Sequence, residues 1–584
     1  MADLQFDIVI AGGSLGGVAG ALSAAATGAS VCLIEASKWV GGQSTSQGCT
    51  RADETTYTAG AGSTASYRRF RDAVRHVYTT TYTLAHPPAP NDFNPGGHFA
   101  TFRFAPQVGH DVLMAQLRAP KPPVDVRLET TVISAESDGD VVHAIVARGK
   151  DGTTNRFVAK IFLDATDLGD LLPLCKVPFR IGAESRNEFG EPAAPTVAHP
   201  EWIQPITMPI ALELGDPADP PVLVPKPANY DAIAKEQRFR LIDGDITTVF
   251  AEPLPGADTL WNYRQFVDAA QFNDKRLAHS LTTINVGSND YKTASLPTGT
   301  AAGDADVIAR AREVSVAYVY WLQNVCERDG AKPGDKPGYP NVRVRADVFG
   351  TPDGTSPMPY IRESRRIEAM TTVRQQDIDA DINAATVRAK PFADSCGIGW
   401  YAMDIHAANN GLPWSQHGTK PFQIPLGALV PQRMTNLLAA CKNIGVTHIT
   451  NGAYRVHPVE WNIGESAGAL AAFCIARGVA ARSVVQSRTL LRAFQRVLLG
   501  IGVPLYWWTD VMPSDKDVFV AAHLLGVDQV DDGGNRPDMK FRPADDLTKK
   551  EKDRFDRIDA GSYTWPAGTL KRGQAAVFLA SKLS

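Results

Sequence analysis

The first 35 residues carry the pattern that most constrains how this chain can fold. Residues 6–11 (FDIVIA) are apolar and rich in β-branched side chains, which is typical of a strand buried in a parallel sheet. A glycine-rich turn, residues 12–17, leads into the alanine-rich segment 18–27, which predicts a helix. A second apolar run, residues 29–34, ends at Glu35. The sequence therefore predicts a β–α–β unit with a glycine turn after its first strand and an acid after its second.

Each part of this unit suits the binding of a dinucleotide. Gly13 lets the backbone approach a pyrophosphate, Gly16 permits close helix packing, and the helix N-terminus offers N–H groups to phosphate. Glu35 lies 19 residues beyond Gly16, near the roughly 20-residue offset of an acid that binds ribose hydroxyls. Ala11 replaces the first glycine of the usual G-x-G-x-x-G pattern. We expect this unit to bind the cofactor through Gly12, Gly13, Ser14, Gly16, Glu35 and Ala36.

A second glycine pair follows closely behind the acid. The string GGQSTSQG, residues 41–48, resembles the extended FAD fingerprint of the glutathione-reductase-like flavoproteins, in a branch of the FAD-dependent oxidoreductase family. In those families this loop runs along the pyrophosphate toward the isoalloxazine. The resemblance spans roughly residues 5–180 and 355–485. It implies FAD as the cofactor, with further contacts from Gly42, Gln43, Ser44 and Thr45.

Two features downstream fit the same family. Residues 126–133, 141–147 and 156–163 are apolar runs separated by turns, which predicts a three-stranded meander. The resemblance implies that the backbone of Val132 approaches the adenine. Residues 164–170 (DATDLGD) resemble the family segment that lies beside the pyrophosphate. This implies that Ala165, Thr166 and Asp170 bind the cofactor.

A long helix is predicted over residues 459–477, with small residues at helical spacing along one face. These are Gly464, Ala467, Gly468 and Ala471. We expect this face and the helix N-terminus to abut the cofactor, with contacts from Asn462 and Ile463; ordinary helix packing is the alternative explanation of the glycines.

The predicted fold class is α/β. A discontinuous Rossmann-type FAD-binding domain with a β-meander occupies residues 1–175 and 400–490, and an α+β substrate (cap) domain occupies residues 176–399. The remaining residues, 491–584, form a small helical C-terminal module. Its segments F-R-P (541–543) and L-T-x-x-E (547–551) resemble one S-layer-homology unit. We interpret this module as a surface for homodimerisation or for docking a protein partner.

The expected reaction transfers a hydride from a C–H bond of a small polar or anionic molecule to flavin N5, followed by reoxidation by oxygen or another acceptor. His457 is the preferred base, with His448 second and Tyr454 as a donor. Arg365 and Arg455 are candidates for binding a carboxylate, although the R-E-S-R-R string at 362–366 is equally typical of a structural ion-pair network. Two alternatives stay open: a flavin monooxygenase or desaturase, and a catalytically silent flavoprotein scaffold.

Composition excludes several other classes. Lys plus Arg number 59 against 63 for Asp plus Glu, a net charge of −4, which does not favour nucleic acid or an anionic membrane. The seven cysteines include no C-x-x-C pair, so we expect neither a disulfide framework nor a metal site. No apolar run reaches the roughly 18 residues of a membrane-spanning helix, and the chain is expected to be cytoplasmic.

Overall fold

A computed structural model describes residues 2–87, 93–97, 101–241, 246–531, 533–556, 564–566 and 568–582. The strands in these residues are β1 Ala2–Ala11, β2 Val31–Ile34, β3 Asp125–Arg127, β4 Thr130–Asp138, β5 Val141–Gly149, β6 Thr154–Asp164, β7 Phe179–Arg180, β8 Ile206–Thr207, β9 Ile210–Leu214, β10 Gln265–Val267, β11 Leu281–Ile284, β12 Asp290–Tyr291, β13 Val342–Val344, β14 Arg366–Ile367, β15 Ser395–Gly399, β16 Met403–Ile405, β17 Ser415–His417, β18 Phe422–Pro425 and β19 Leu437–Ala439.

The helices range from single turns to the 24-residue α9. They are α1 Leu15–Ala25, α2 Thr56–Ala59, α3 Ala65–Thr81, α4 Pro106–Arg118, α5 Leu171–Leu174, α6 Arg186–Phe189, α7 Tyr230–Gln237, α8 Leu260–Tyr263, α9 Ala301–Asn324, α10 Ala346–Phe349, α11 Gln375–Ile378, α12 His448–Tyr454, α13 His457–Arg477, α14 Ala481–Gln486, α15 Arg488–Gly500, α16 Lys516–Val527, α17 Lys549–Asp556 and α18 Arg572–Ala580. Within the described ranges, no helix combines the length and the apolar character needed to cross a membrane.

The central sheet has the strand order β3–β2–β1–β6–β5–β4, with β19 also paired to β6. β3, β2, β1, β6 and β19 run parallel, whereas β4 and β5 join as an antiparallel hairpin. The predicted three-stranded meander is present as β4, β5 and β6, which pair antiparallel in this order, but the bounds of its first strand were wrong. The run 126–133 is not one strand, since its first part lies in β3 beside β2 and its second part begins β4. Glu129 between them has a φ of +48°, which breaks the extended backbone.

The packing of α13 on α1 explains the predicted small face. A Cβ atom on Gly464 would overlap the backbone of Gly16, and one on Gly468 would overlap that of Gly20. The two helices thus cross with their backbones in contact, which only glycine permits. The expectation that Gly464 and Gly468 face the cofactor was wrong, and helix packing, the alternative, accounts for both residues.

The region predicted as a cap, residues 176–399, contains a four-stranded antiparallel sheet of order β10–β11–β9–β13. Residues 206–214 form two strands, β8 and β9, which Met208 and Pro209 separate, because proline has no N–H to donate to a ladder. Helix α9 packs on this sheet, where Tyr318 and Leu322 share an apolar cluster with Ile210.

The predicted boundary at residue 490 falls inside α15, which begins at Arg488. The chain beyond this helix continues into the same core. The carbonyl of Leu505 accepts hydrogen bonds from Ser395 Oγ at 2.9 Å and Gln423 Nε2 at 2.7 Å, and Trp507 is buried. Residues 532, 557–563, 567, 583 and 584 of the predicted module lie outside the described residues. The described part of 491–531 is therefore continuous with the core and is not a separately packed module.

Candidate functional site

The turn between β1 and α1 forms a compact cradle. Gly12 has a φ of +96°, and a Cβ atom there would overlap the carbonyl of Ala165. Ser14 caps α1 by accepting a hydrogen bond from the N–H of Gly17 at 3.2 Å. The positive end of the α1 dipole thus points into the cradle, where it favours a bound phosphate.

Glu35 closes one side of this cradle. Its Oε2 accepts from the N–H of Gly13 at 2.7 Å, and its Oε1 accepts from that of Ser37 at 2.7 Å. The carbonyl of Glu35 accepts from the N–H of Thr130 at 2.9 Å, so β4, with Val132 two residues further on, begins next to the acid. Ala36 directly follows Glu35. Glu35, Ala36 and Val132 therefore lie close together, where β2 ends and β4 begins.

The second glycine pair lies directly over the N-terminus of α1. The N–H of Gly41 donates to the carbonyl of Gly13 at 2.7 Å, and a Cβ atom on Gly42 would lie 3.0 Å from the Cα of Ser14. Gln43 Nε2 donates to the carbonyl of Arg455 at 3.0 Å and also to the carboxylate of Glu460. Ser44 and Thr45 complete this buried 3-10 turn. The loop therefore links the cradle to the start of α13.

A turn after β6 supplies the next group of predicted residues. Asp164 is fully buried and accepts hydrogen bonds from the N–H groups of Thr166 and Leu171, each at 3.0 Å. This holds Ala165 against Gly12. Asp170 extends toward Arg365, whose Nη1 lies 3.3 Å from its carboxylate. Arg365 thus belongs to this turn at the cradle.

Three charged residues at the cradle were not predicted from the sequence, and these are Asp167, Lys442 and Glu460. Glu460 accepts from the N–H of Gly16 at 3.1 Å. Lys442 lies with its Nζ 2.5 Å from Asp167 Oδ1 and donates to the carbonyl of Ile361 at 2.8 Å. Burial raises the pKa of Glu460. Lys442 follows β19, and Glu460 lies in the first turn of α13. Each is a charged residue inside an otherwise apolar segment, which is the sequence signal that could have identified it.

A buried group of charges lies between the cap and the start of α13. Arg455 donates to the hydroxyl of Tyr360 at 2.9 Å and lies 3.4 Å from Asp404 Oδ2. Asp404 also pairs with His406, at 3.3 Å. His406 Nδ1 lies 2.6 Å from Asp290, which pairs with Arg362 at 3.0 Å. Together with Arg264 and Asp53, these side chains form what we call the ion cluster: Asp53, Arg264, Asp290, Arg362, Asp404, His406 and Arg455.

Arg264 and Asp53 connect the ion cluster to the loop that follows the second glycine pair. Arg264 Nη1 donates to the sulfur of Cys49 at 2.9 Å. Burial raises the pKa of Cys49 to about 11 despite this arginine. Asp53, together with burial, raises the pKa of Tyr401 well above its usual value, so the phenol of Tyr401 stays protonated.

His406 is the one histidine in the cluster. Burial and Arg362 lower its pKa, but the carboxylates of Asp290 and Asp404 outweigh them and raise it overall. Burial raises the pKa of Asp404, but His406, Arg455 and Arg362 outweigh burial and lower it overall. The two carboxylates therefore favour the protonated form of the imidazole that lies between them.

His457 lies beside the cluster, but backbone groups of Asp53 and Cys49 occupy both of its ring nitrogens. Nδ1 accepts from the N–H of Asp53 at 3.1 Å, so Nε2 carries the proton, which it directs at the carbonyl of Cys49 at 3.3 Å. Burial lowers the pKa of His457 to about 4. This geometry does not favour His457 as a base.

The other predicted side chains of this region have structural partners elsewhere. His448 Nδ1 lies 2.8 Å from Glu363, in a separate network with Arg366 and Glu184. The hydroxyl of Tyr454 donates to the carbonyl of Gln423 at 2.7 Å. These contacts do not bring His448 or Tyr454 into the ion cluster.

Asn462 and Ile463 also differ from expectation. Asn462 Oδ1 accepts from the N–H of Ile398 at 3.3 Å, and its Nδ2 donates to the carbonyl of Cys396 at 3.2 Å. Ile463 is fully buried in the apolar core. The side chain of Asn462 thus faces β15 and not the cradle, because it lies on the side of α13 opposite the α1 contact.

The cradle fits the pyrophosphate and ribose of FAD. Gly12, Gly16 and Gly42 allow the segments that form the cradle to pack backbone against backbone, because a Cβ atom at any of the three would press on a neighbouring main chain. Glu35 stands where a ribose acid is required, beside the N–H groups of the helix turn. The ion cluster adjoins this cradle through the hydrogen bond of Gln43 to Arg455.

Comparison with solved structures gives distant matches at low sequence identity. Similar solved structures include p-nitrophenol 4-monooxygenase PnpA from Pseudomonas putida, at 12% identity over 91% of this chain and 97% of that chain, with a TM-score of 0.36. The myxobacterial chondrochloren halogenase CndH matches at 11% identity over 99% and 96%, with a TM-score of 0.32. The match to L-proline dehydrogenase from P. horikoshii, at 14% identity and a TM-score of 0.16, covers 31% of this chain and only 24% of that chain.

A search of curated proteins returns no match. The family model described as FAD dependent oxidoreductase, however, matches residues 7–498. These residues include the cradle, the cap and the ion cluster, and the chain therefore belongs to the family of FAD-dependent oxidoreductases.

Proposed function

We propose that this FAD-dependent enzyme is a dehydrogenase or oxidase of a small organic anion, which it binds at the ion cluster. The observation that carries the proposal is the charge of that cluster. Its three arginines balance its three carboxylates, and His406, whose protonated form Asp290 and Asp404 favour, adds one positive charge when it is protonated. A single carboxylate on the substrate would neutralise this excess away from bulk water, where charge pairing is strong.

Two arginines have unused hydrogen-bonding capacity. The Nε atoms of Arg362 and Arg455 are buried and have no hydrogen-bond partner among the described residues. A guanidinium group binds a carboxylate with two parallel N–H donors. We therefore assign the substrate carboxylate to this pair, with Arg455, whose carbonyl accepts from Gln43 of the loop over the cradle, as its main partner.

When bound, FAD supplies the acceptor for two electrons. The chain itself must orient the substrate and take up the proton that it loses. Because the nitrogens of His457 are held by backbone groups, we assign the proton acceptor to Asp53. Its Oδ2 lies 4.0 Å from His457 Nδ1, and His457 holds the backbone of Asp53 in place. Tyr401, protonated, serves as a hydrogen-bond donor to the substrate.

The test is anaerobic reduction of the purified holoenzyme by a panel of small carboxylic acids and their methyl esters. We expect bleaching of the flavin absorption band by one or more acids, and at least about 10²-fold slower bleaching by the matching ester, since the ester lacks the charge that the arginines pair with.

A pair of variants locates the anion site. Arg455→Met should abolish acid selectivity, whereas Arg433→Met, which removes a 57% exposed side chain paired with Asp140 on the surface, should leave it unchanged. Equal rates with acid and ester, or a requirement for oxygen before any substrate is consumed, would contradict the proposal.

A further inference from the structure

Asn285 is a buried amide with no hydrogen-bond partner. It follows β11 directly in the cap, and its side chain is 1% exposed. Neither its Oδ1 nor its Nδ2 has a partner among the described residues. Burying such an amide without hydrogen bonds is unfavourable.

A second asparagine four residues away shows the contrast. Asn289 is equally buried, but its Oδ1 accepts from the N–H of Val286 at 2.8 Å, and its Nδ2 donates to Ser315 Oγ at 3.2 Å. Asn289 therefore has a structural role in the turn after β11. No structural role accounts for the side chain of Asn285.

The surroundings of Asn285 place it beside the ion cluster. Arg264 Nε donates to the carbonyl of Asn285 at 3.0 Å, and the same guanidinium donates to Cys49. Thr283 Oγ1 lies 3.0 Å from Thr50 Oγ1. Because side chains alternate along an extended chain, Asn285 shares the face of Thr283 that meets the cofactor-side loop at residues 49–53.

We propose that Asn285 is a specificity-determining residue that binds a hydroxyl group of the substrate, so that the preferred substrate is a hydroxy acid. This inference rests on the proposed function, because the arginines of the ion cluster hold the carboxylate of the same molecule. An unpaired amide offers one acceptor and one donor group together. A hydroxyl both donates and accepts, whereas a carboxylate only accepts and an ammonium group only donates.

The first test compares matched acids with and without the hydroxyl. Lactate is set against propionate, and malate against succinate, in titrations of the holoenzyme followed by perturbation of the flavin spectrum. We expect at least one hydroxy acid to bind at least about 10²-fold more tightly than its partner, since the analogue without the hydroxyl leaves the amide unpaired. Asn285→Leu, and Asn285→Ala as a second variant, should reduce this ratio to near 1.

The second test requires no substrate. Without ligand, Asn285→Leu should leave the Tm of the holoenzyme unchanged or raise it, because it removes an unpaired buried amide. Asn289→Leu, the matched control, should lower the Tm. If Asn285→Leu lowers the Tm as much as Asn289→Leu does, Asn285 is structural and the inference fails.

Other outcomes separate the two proposals. If acids bind with no preference for the hydroxyl, the proposed function stands and the role of Asn285 is wrong. If neither acids nor hydroxy acids bind, the proposed function fails as well. If the Asn285 variants shift the flavin spectrum without substrate while the binding ratios stay unchanged, Asn285 contacts the flavin, which also overturns the inference.

Discussion

At the scale of single residues, the hydrogen-bond partners of a side chain determine whether it can act in catalysis or only stabilises the fold. His457 shows this most clearly. Its residue type and its position before α13 suit a catalytic base, but the N–H of Asp53 occupies its acceptor nitrogen. The role of His457 is therefore to hold the loop that carries Asp53. It can accept this hydrogen bond only when its imidazole is neutral, so the neutral form stabilises the folded state.

The pH dependence of stability tests this role. Since burial lowers the pKa of His457 to about 4 in the folded state against about 6.5 when unfolded, its contribution is present above pH 6.5 and is lost as the pH falls toward 4. The loss amounts to about 3 kcal/mol. His457→Asn retains an acceptor for the N–H of Asp53 and should show a flatter decline of Tm over this window. Identical pH profiles for both proteins would contradict the assignment.

Asp164 gives a second residue-scale prediction. Both of its carboxylate oxygens accept from N–H donors, at Thr166 and Leu171. Burial raises the pKa of Asp164 to about 7, so the test is made above this pH, where the carboxylate is ionised. There Asp164→Asn turns one oxygen into a donor that faces another donor, and we expect a loss of about 1–3 kcal/mol in the free energy of unfolding. Asp151→Asn, in an exposed turn of similar geometry, serves as the control and should have a much smaller effect in denaturant titrations.

At the scale of elements, the crossing of α1 and α13 connects the fold to the cofactor. The two helices touch through Gly16, Gly20, Gly464 and Gly468. Gly16 also belongs to the cradle, and Glu460 of α13 accepts from its N–H. Any change in the separation of these helices therefore alters the phosphate-binding turn.

A single added methyl group tests this coupling. Gly464→Ala places a Cβ against the backbone of Gly16, so we expect a loss of about 1–3 kcal/mol in stability together with weaker FAD binding. Gly500→Ala is the control, since α15 ends there with no neighbouring atom within 4 Å of the added Cβ. Thermal unfolding and FAD titration measure both effects. Normal FAD affinity in Gly464→Ala would mean that the helix crossing and the cradle are independent.

At the scale of the whole molecule, the described residues beyond 490 belong to the core. Leu505 bridges β15 and β18 through its carbonyl, and Trp507 and Trp508 are buried behind them. β15 in turn contacts α13 through Asn462. The C-terminal region thus supports the FAD-binding part through a short chain of contacts.

Truncation after Gly500 tests this arrangement. Removing Trp507 and Trp508 exposes apolar surface and leaves Ser395 and Gln423 without their acceptor, so we expect a large fall in Tm and loss of bound FAD, followed by flavin fluorescence. If the residues beyond 500 formed a separately folded module, the truncated chain would retain both its Tm and its flavin.

The sequence by itself determined the β–α–β unit, its glycine turn and Glu35, because strand and helix periodicity and turn chemistry depend on residues close together in the chain. The FAD-binding family was recognisable for the same reason. Tertiary structure alone decided the ion cluster, the glycine contact between α1 and α13, and the role of His457. Asp53, Arg264, Arg362, Asp404 and Arg455 lie far apart in the chain, and hydrophobic patterning specifies which face of an element is buried but not which charged side chains meet there. A buried charge acquires its function from the partners that the packing of distant elements brings to it.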